Sequence, residues 1–161
     1  MSNIRLLFMD VDGTLTDGKI YMGSDGELMK AFDIKDGCAI HDILPQYGII
    51  PIIITGRSSQ IVKRRAEELG ITELYQGKRD KVQTLVEIVS KYHLSLSNCA
   101  YIGDDILDLP CIEKIHEAGG IAGCPSDAVD EVRAASDFIS SKDGGKGAVR
   151  EFVDYLIKVS K

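Results

Sequence analysis

The chain has 161 residues, 44% of them hydrophobic, and a formal net charge of −6. This length and apolar content favour one domain over residues 1–161 with a hydrophobic core of its own. The acidic balance disfavours nucleic-acid and anionic-membrane binding, because both need basic surface. No secretory leader is recognisable, and the longest apolar run is about half of what spans a bilayer, so we expect a cytoplasmic protein without a membrane segment.

The four cysteines do not indicate a disulfide framework or a metal site. No two of them form a C-x-x-C pair, and a chain of this size does not need disulfides for stability. We therefore interpret all four as reduced, buried thiols, and they are Cys38, Cys99, Cys111 and Cys124.

The predicted elements alternate between strands and helices along the chain. The predicted strands are Ile4–Met9, a hairpin of Lys19–Met22 and Leu28–Asp33, then Ile49–Ile54, Leu74–Gln76, Cys99–Ile102, Gly120–Ala122 and Phe138–Ser140. The predicted helices run from an Asp36 cap over Gly37 to about Tyr47, from a Ser58 or Ser59 cap to Gly70, and over Arg79–His93, Ile106–Ile115, Ser126–Ala135 and Ala148–Val159. This alternation predicts an α/β fold, a Rossmann-like three-layer α/β/α sandwich with a mainly parallel sheet.

Polar residues come directly after three of the predicted apolar strands. Ligands of such sheets bind at the carboxyl ends of the strands, so the sequence predicts one site at this edge. The residues concerned are Asp10 and Asp12, then Thr55, Gly56 and Arg57, then Gly103, Asp104 and Asp105, with Lys81 opening the helix after the short third strand.

These residue types suit phosphoryl transfer. Carboxylates about 5 Å apart repel by roughly 3 kcal/mol at an effective dielectric of about 20, and Mg²⁺, which prefers oxygen ligands, would offset that repulsion. Thr55 offers a hydroxyl and a backbone N–H to a phosphate oxygen, and Lys81 offers a cation, with Lys78 as the less favoured rival. An aspartate could then be phosphorylated during the reaction. The alternative for Asp10 and Asp12 is a strand end with turn-forming residues.

Four segments in the expected order resemble the haloacid dehalogenase (HAD) phosphatase superfamily. They are DVDGTLTDG, IIITGR, GKRDK and YIGDDILDLP, which are similar to motifs I to IV and cover residues 8–110. Longer stretches, including FDIKDGCAI, TGRSSQIVKRRAEELGI and the tail GGKGAVREFVDYL, resemble the 3-deoxy-D-manno-octulosonate 8-phosphate (KDO 8-phosphate) phosphatase family.

This resemblance implies a fold and an activity. The fold is HAD-like, without a separate cap domain and with a hairpin at about 18–34 that packs between the subunits of a homotetramer. The activity is Mg²⁺-dependent hydrolysis of the phosphate ester of an eight- or nine-carbon 3-deoxy-2-ulosonic acid, with active sites near subunit interfaces.

The resemblance also implies a role for each motif residue. Asp10 is the expected nucleophile and a Mg²⁺ ligand, and Asp12 is the expected general acid/base with its carbonyl on the metal. Asp104 is the expected third protein ligand of the metal. Thr55 and Lys81 are expected to hold the phosphoryl group, while Asp105 and Asp108 orient Lys81 or metal-bound waters; Asp17 caps or braces the loop.

Substrate contacts are predicted at Gly56, Arg57, Arg65 and Lys146. Arg57 suits bidentate binding of a sugar carboxylate, and Arg65 is a candidate for a neighbouring subunit's site. The alternative is that Arg57, Lys63, Arg64 and Arg65 form a solvated helix face paired with nearby glutamates. The stretch at 142–149 is either a plain loop or a flexible segment that brings Lys146 to the site.

Three alternatives to an octulosonate phosphatase remain at this stage. The first is a phosphatase for a nine-carbon nonulosonate 9-phosphate; the arginine at position 57 resembles the eight-carbon octulosonate enzymes more than the nine-carbon ones. The second is a phosphorylated signalling receiver, which the order of the motifs disfavours because a receiver places its acidic pair before its acceptor aspartate. The third is a non-catalytic partner domain of a sugar-activating enzyme, which is disfavoured because every expected catalytic position is filled.

Overall fold

A six-stranded parallel sheet forms the centre of the computed structural model, which describes residues 3–160. The order of strands in this sheet is β5-β4-β1-β6-β7-β8, and β2 pairs with β3 in a separate antiparallel hairpin. Strands β1 to β8 are Leu6–Met9, Tyr21–Gly23, Gly26–Met29, Ile50–Ile54, Glu73–Tyr75, Cys99–Ile102, Ile121–Cys124 and Phe138–Ile139.

Helices cover both faces of the sheet, which confirms the predicted three-layer α/β/α fold. Helices α1 to α6 are Ile34–Cys38, Gln60–Glu68, Lys81–Lys91, Leu109–Glu117, Asp130–Ala135 and Ala148–Val159. One hydrophobic cluster packs the second and sixth of these helices, together with the turns that follow the first helix, against the sheet, and the other cluster packs the third, fourth and fifth.

The burial of strand β1 on both faces explains why apolar and polar residues do not alternate in this part of the sequence. Its four side chains are fully buried: Leu7 and Met9 belong to one hydrophobic cluster, and Leu6 and Phe8 to the other. A central parallel strand with helices on both faces has no solvent side. Each of these side chains contributes roughly 1.5–3 kcal/mol by its burial, so the strand is a rigid base for the residues that follow it.

The first helix begins earlier than predicted, because Asp33 caps it instead of Asp36. The Asp33 carboxylate accepts the N–H groups of Lys35 and Asp36, and the helix starts at Ile34. Asp36 is buried and accepts the N–H of Arg150 at 2.9 Å, at the start of α6. The chain then continues through a π turn, Ala39–Ile43, and a 3-10 turn, Leu44–Tyr47, so the helical segment ends at Tyr47 as predicted, with Gly48 as its cap.

Helices α4 and α5 begin later than predicted, because the residues before them make tertiary contacts instead. The turn before α4 closes around the Asp108 carboxylate, so this helix begins at Leu109 and not at Ile106. Ser126 donates its N–H to Lys142 and its hydroxyl to Asp143, so α5 begins at Asp130.

The hairpin lies outside the main sheet and carries exposed apolar side chains. Its strands are shorter than predicted, with the turn at Ser24 and Asp25. The exposed apolar residues on and next to it are Ile20, Met22, Leu28, Met29 and Ile34.

All four cysteines are unpaired, and Cys38 is half-buried where burial was predicted. Over residues 3–160 no helix combines the length and apolar character that crossing a membrane requires.

Candidate active site

The nucleophile candidate Asp10 lies immediately after β1, at the carboxyl edge of the sheet. Its N–H donates to the carbonyl of Ile102 at 3.1 Å, so the neighbouring strand β6 fixes its backbone. The side chain is buried and lines a cavity of about 190 Å³. The same cavity is lined by Asp12, Thr55, Gly56, Arg57, Arg79, Lys81, Asp105, Leu107 and Asp108.

Lys81 is the buried cation of this cavity. Its ammonium lies 3.0 Å from an Asp10 oxygen and 2.8 Å from an Asp108 oxygen. Burial by itself lowers the pKa of Lys81, but the two carboxylates outweigh it and raise that pKa above its usual value, so the side chain stays charged. The rival Lys78 is exposed and does not line the cavity. The geometry therefore selects Lys81 as the cation beside Asp10.

Asp108 holds Lys81 and the following loop in place. Its Oδ1 accepts the Lys81 ammonium and the Tyr101 hydroxyl, the latter at 2.6 Å. Its Oδ2 accepts the backbone N–H groups of Asp104 at 3.0 Å and Asp105 at 3.2 Å. Asp108 is completely buried, and these four donors engage both of its oxygens. It is therefore suited to orienting its neighbours and not to binding a metal.

Asp104 reaches Asp10 across the edge of the sheet. The Thr14 hydroxyl donates to its Oδ1 at 2.9 Å. Gly13, at φ +89°, leaves room for it, because a Cβ at that position would lie 2.0 Å from Oδ2 of Asp104. The residue after Asp12 must therefore be glycine for both its backbone conformation and the close approach of the carboxylate.

The carboxylates of Asp10, Asp104 and Asp108 have oxygens within 4.8 Å of one another. Burial raises the pKa of Asp10 well above its usual value, and the charge of Asp108 adds to this effect. Burial, again reinforced by Asp108, raises the pKa of Asp104 to about 7. Asp10 and Asp104 therefore resist being ionised at the same time. A cation bound between them would stabilise their ionised forms.

The residues present fit a hard divalent cation. Asp10 and Asp104 supply carboxylate oxygens, and oxygen ligands are those that Mg²⁺ prefers. The N–H groups of Thr14, Leu15 and Thr16 all donate to the carbonyl of Val11. In the described chain this leaves the Asp12 carbonyl without an N–H partner, and it is available as the third protein ligand.

The Asp12 side chain is paired with a residue of the hairpin segment. Its Oδ1 accepts the ammonium of Lys30, which also lies 2.8 Å from Oε1 of Glu27. Glu27 in turn accepts the Ser59 hydroxyl at 2.6 Å. Although burial opposes it, these two carboxylates raise the pKa of Lys30.

Thr55 and Arg57 line the cavity from the loop after β4. The N–H of Thr55 donates to the carbonyl of Tyr75 at 3.0 Å, so the predicted use of this N–H for phosphate binding is wrong; its hydroxyl remains available. Ser59, and not Ser58, caps the following helix. Arg57 is exposed at the rim of the cavity, where an anionic substrate group can reach it.

Two predicted substrate residues lie outside this cavity. Arg65 stacks over the Phe32 ring, with its guanidinium carbon 5.5 Å from the ring centroid, and it pairs with Glu68 at 3.2 Å. Lys146 is exposed and lies 3.7 Å from Asp143. Neither side chain lines the cavity of its own chain. The contact of Arg65 with a neighbouring subunit's site and the contact of Lys146 with the substrate stay predictions.

Two acidic residues near the site make local contacts. Asp105 is exposed at the cavity, and its carboxylate accepts the N–H of Ile106 at 2.7 Å, without contacting Lys81. Asp17 accepts the N–H of Lys19 and the hydroxyl of Tyr21, which matches the predicted bracing of the loop.

Sequence reasoning missed several residues of the site. Arg79 could have been found, because it precedes the selected lysine by two positions in the GKRDK segment at the carboxyl edge of the sheet. Thr14 and Tyr101 are ordinary residues of a loop and a strand, and no local pattern distinguishes them. The same holds for Lys30, a lone lysine after a short strand.

Comparison with known proteins relates nearly the whole chain to one kind of phosphatase, although no protein-family model matches it. A 3-deoxy-D-manno-octulosonate 8-phosphate phosphatase of Escherichia coli K12 is 43% identical over 155 residues, which are 96% of this chain and 80% of that protein.

Solved structures of such phosphatases are similar to this fold. The enzyme of Moraxella catarrhalis, solved with magnesium, phosphate and KDO, has a TM-score of 0.90 and 46% identity over 98% of this chain and 87% of that one. The cobalt-bound enzyme of Haemophilus influenzae has a TM-score of 0.91 and 35% identity over 99% of this chain and 90% of that one. The chain therefore belongs to the KDO 8-phosphate phosphatase family of the HAD superfamily, whose members are phosphoric monoester hydrolases.

Proposed function

We propose that this protein is a Mg²⁺-dependent phosphatase that hydrolyses KDO 8-phosphate through an aspartyl-phosphate intermediate. The observation that carries the proposal is the position of Asp10, buried at the base of a cavity with the Lys81 ammonium 3.0 Å away. The family relationship supports the substrate class, since the Moraxella relative was solved with KDO and phosphate.

In the first half-reaction, an Asp10 oxygen attacks the phosphorus and the bond from phosphorus to the sugar oxygen breaks. Asp12 gives its proton to that sugar oxygen, which leaves as a hydroxyl group. Lys81 neutralises the charge of Asp10 and of the phosphoryl oxygens, and the Thr55 hydroxyl donates to one of them. Asp10, Asp104 and the Asp12 carbonyl would hold Mg²⁺, which would supply further positive charge beside the phosphoryl group.

In the second half-reaction, water attacks the phosphorus of the aspartyl-phosphate. Asp12, now ionised, takes the proton of that water, which restores its acid form. The bond between Asp10 and phosphorus breaks, and inorganic phosphate leaves with the Asp10 carboxylate free again. Asp108 keeps the Lys81 ammonium beside Asp10 in both steps.

Recognition of the sugar acid is assigned to the rim of the cavity. Arg57 and Arg79 line it and are exposed, and a guanidinium binds a carboxylate through two parallel hydrogen bonds. Gly56 lies beside Leu107, which brings an apolar side chain to the same rim.

We further propose that the chain forms a homotetramer through the hairpin. A two-stranded hairpin is marginally stable by itself, and this one exposes Met22, Leu28 and Met29 over more than half of their surface. A neighbouring copy that covers these side chains could also close the open cavity. Light scattering should give about four times the chain mass, 17.6 kDa, for the wild type and a smaller assembly for a Leu28→Glu variant.

The activity is tested by measuring phosphate release from KDO 8-phosphate with Mg²⁺ and with EDTA. We expect Mg²⁺-dependent turnover that Asp10→Asn reduces by at least about 10³-fold. Asp130→Asn is the matched control, since that carboxylate is almost fully exposed and does not line the cavity. The nine-carbon nonulosonate 9-phosphate is assayed in parallel, and a higher kcat/KM for it would overturn the choice of substrate. No phosphate release from either compound would overturn the proposed activity.

A further inference from the structure

A partly buried chain of two ion pairs and one hydrogen bond connects the hairpin to Asp12. Lys30 follows β3 directly, and its side chain is only 2% exposed. Its ammonium contacts Oδ1 of Asp12 and Oε1 of Glu27, and the other oxygen of Glu27 accepts the hydroxyl of Ser59. We call Asp12, Lys30, Glu27 and Ser59 the hairpin ion-pair chain.

The burial of Lys30 has to be offset by interactions inside the protein, because its ammonium is shielded from water. Lysine is almost never fully buried unless it is paired, because its ammonium loses its hydration. The two carboxylates compensate that loss, and Glu27 is itself held by Ser59, the cap residue of α2. The ammonium is therefore anchored at the hairpin side and has one remaining partner, which is Asp12.

The contact distinguishes the two oxygens of Asp12. Oδ1 accepts the Lys30 ammonium, and among residues 3–160 no donor reaches Oδ2. Asp12 also lines the cavity. A carboxylic acid transfers its proton from one oxygen at a time, so a cation that occupies Oδ1 leaves Oδ2 to carry and deliver the proton.

We infer that Lys30 is a positioning residue that orients Asp12 so that Oδ2 faces the leaving oxygen of the substrate. This inference rests on the proposed function, in which Asp12 is the general acid/base. Since Lys30 and Glu27 belong to the hairpin segment and Ser59 to the main domain, the position of the hairpin controls the orientation of Asp12. A small displacement of the Asp12 carboxylate would slow the reaction, because a proton is transferred efficiently only when donor and acceptor are already close to their reactive geometry.

The test uses two substrates whose leaving groups differ in their need for a proton. The substrates are KDO 8-phosphate and p-nitrophenyl phosphate. The sugar alkoxide of KDO 8-phosphate is a strong base and leaves only when it is protonated, whereas the p-nitrophenolate of the second substrate leaves without a proton. Rapid mixing measures the first half-reaction alone, as single-turnover sugar release for the former and as the burst of p-nitrophenol for the latter. A merely structural defect would slow both reactions equally.

We expect Lys30→Met to slow sugar release by about 10²-fold and the p-nitrophenol burst by less than about threefold. Asp12→Asn should show the same selectivity. Lys19→Met is the matched control, because Lys19 is an exposed lysine just before the hairpin, and it should change neither rate. Glu27→Gln, which weakens the anchor of Lys30 without removing it, should give a smaller loss with the same selectivity.

The outcomes separate the two proposals. Equal slowing of both substrates by Lys30→Met or by Glu27→Gln, or no slowing by either variant, overturns the positioning role. Failure of the wild type to release phosphate from KDO 8-phosphate overturns the proposed function instead. If Lys30→Met does not fold, as judged by its thermal unfolding, the Glu27→Gln comparison decides the question.

Discussion

Asp108→Asn tests whether this buried carboxylate holds the site together. The carboxylate accepts four hydrogen bonds, two at each oxygen, from Lys81, Tyr101 and the backbone of Asp104 and Asp105. An asparagine amide replaces one oxygen by an NH₂ group in either orientation, so two donors lose their acceptor. At roughly 1.5–3 kcal/mol for a hydrogen bond to a charged group, the loss is about 3–6 kcal/mol.

This loss is large compared with the total stability of a domain, which is about 5–15 kcal/mol. For a chain of this length, roughly 3 °C of melting temperature corresponds to 1 kcal/mol, so we expect a decrease of about 10–20 °C. In either orientation the neutral amide would also leave the Lys81 ammonium with one charged partner instead of two. We therefore expect kcat to fall by about 10–100-fold in the protein that remains folded.

Urea unfolding and thermal scans measure the stability, and initial phosphate release measures the activity. Asp105→Asn is the matched control, since that carboxylate is exposed and contacts only the N–H of Ile106. It should change the unfolding free energy by less than about 0.5 kcal/mol. An Asp108→Asn protein that loses under 1 kcal/mol, or no more than the control, would refute the reasoning from the four donors.

Three further predictions concern the tail, a buried acid and the metal. A Cβ on Gly144 would lie 1.9 Å from the carbonyl oxygen of Gly13, so Gly144→Ala should cost about 1–3 kcal/mol in urea unfolding; a wild-type midpoint would contradict this contact. Burial raises the pKa of Asp36 from 3.8 to about 6, so its protonation stabilises the fold at low pH and this contribution is lost as the pH rises through 6. Between pH 4.5 and 7.5 the wild type should therefore lose about 2 kcal/mol relative to Asp36→Asn, and parallel pH profiles would exclude the effect. Mg²⁺ at about 100 times its Kd should stabilise the wild type by about 2.7 kcal/mol, and Asp104→Asn should abolish most of this shift in melting temperature; an equal shift in both proteins would remove Asp104 from the metal site.

Much of the fold follows from patterns that are local in the sequence. The apolar run before Asp10 lacks the alternating polar residues that a half-exposed strand would contain. It is typical of a strand that is covered on both faces of the sheet. The ends of several elements were also predictable where one side chain caps one helix, as Ser59 does. The error at Asp36 shows the limit of this approach, because Asp33 is an equally good cap and local sequence does not choose between them.

The general position of the site was predictable for the same kind of reason. Parallel strands bring their carboxyl ends to one edge, so residues that directly follow the strands must meet there. Asp10, Thr55 and Asp104 obey this rule. Arg65 and Lys146 do not, because they lie on a helix face and in a loop whose direction the strand order does not determine.

The amino-acid sequence by itself determined the alternation of strands and helices, the edge at which Asp10 lies and the motif residues around it. Only the tertiary structure decided which groups hold those residues: of the two acids expected to orient Lys81, Asp108 contacts it and Asp105 does not. Lys81 reaches Asp108 across 27 positions and Lys30 reaches Asp12 across 18. Periodicity and capping act over one or two turns, whereas these ion pairs depend on how separate elements pack, and no local pattern encodes that packing.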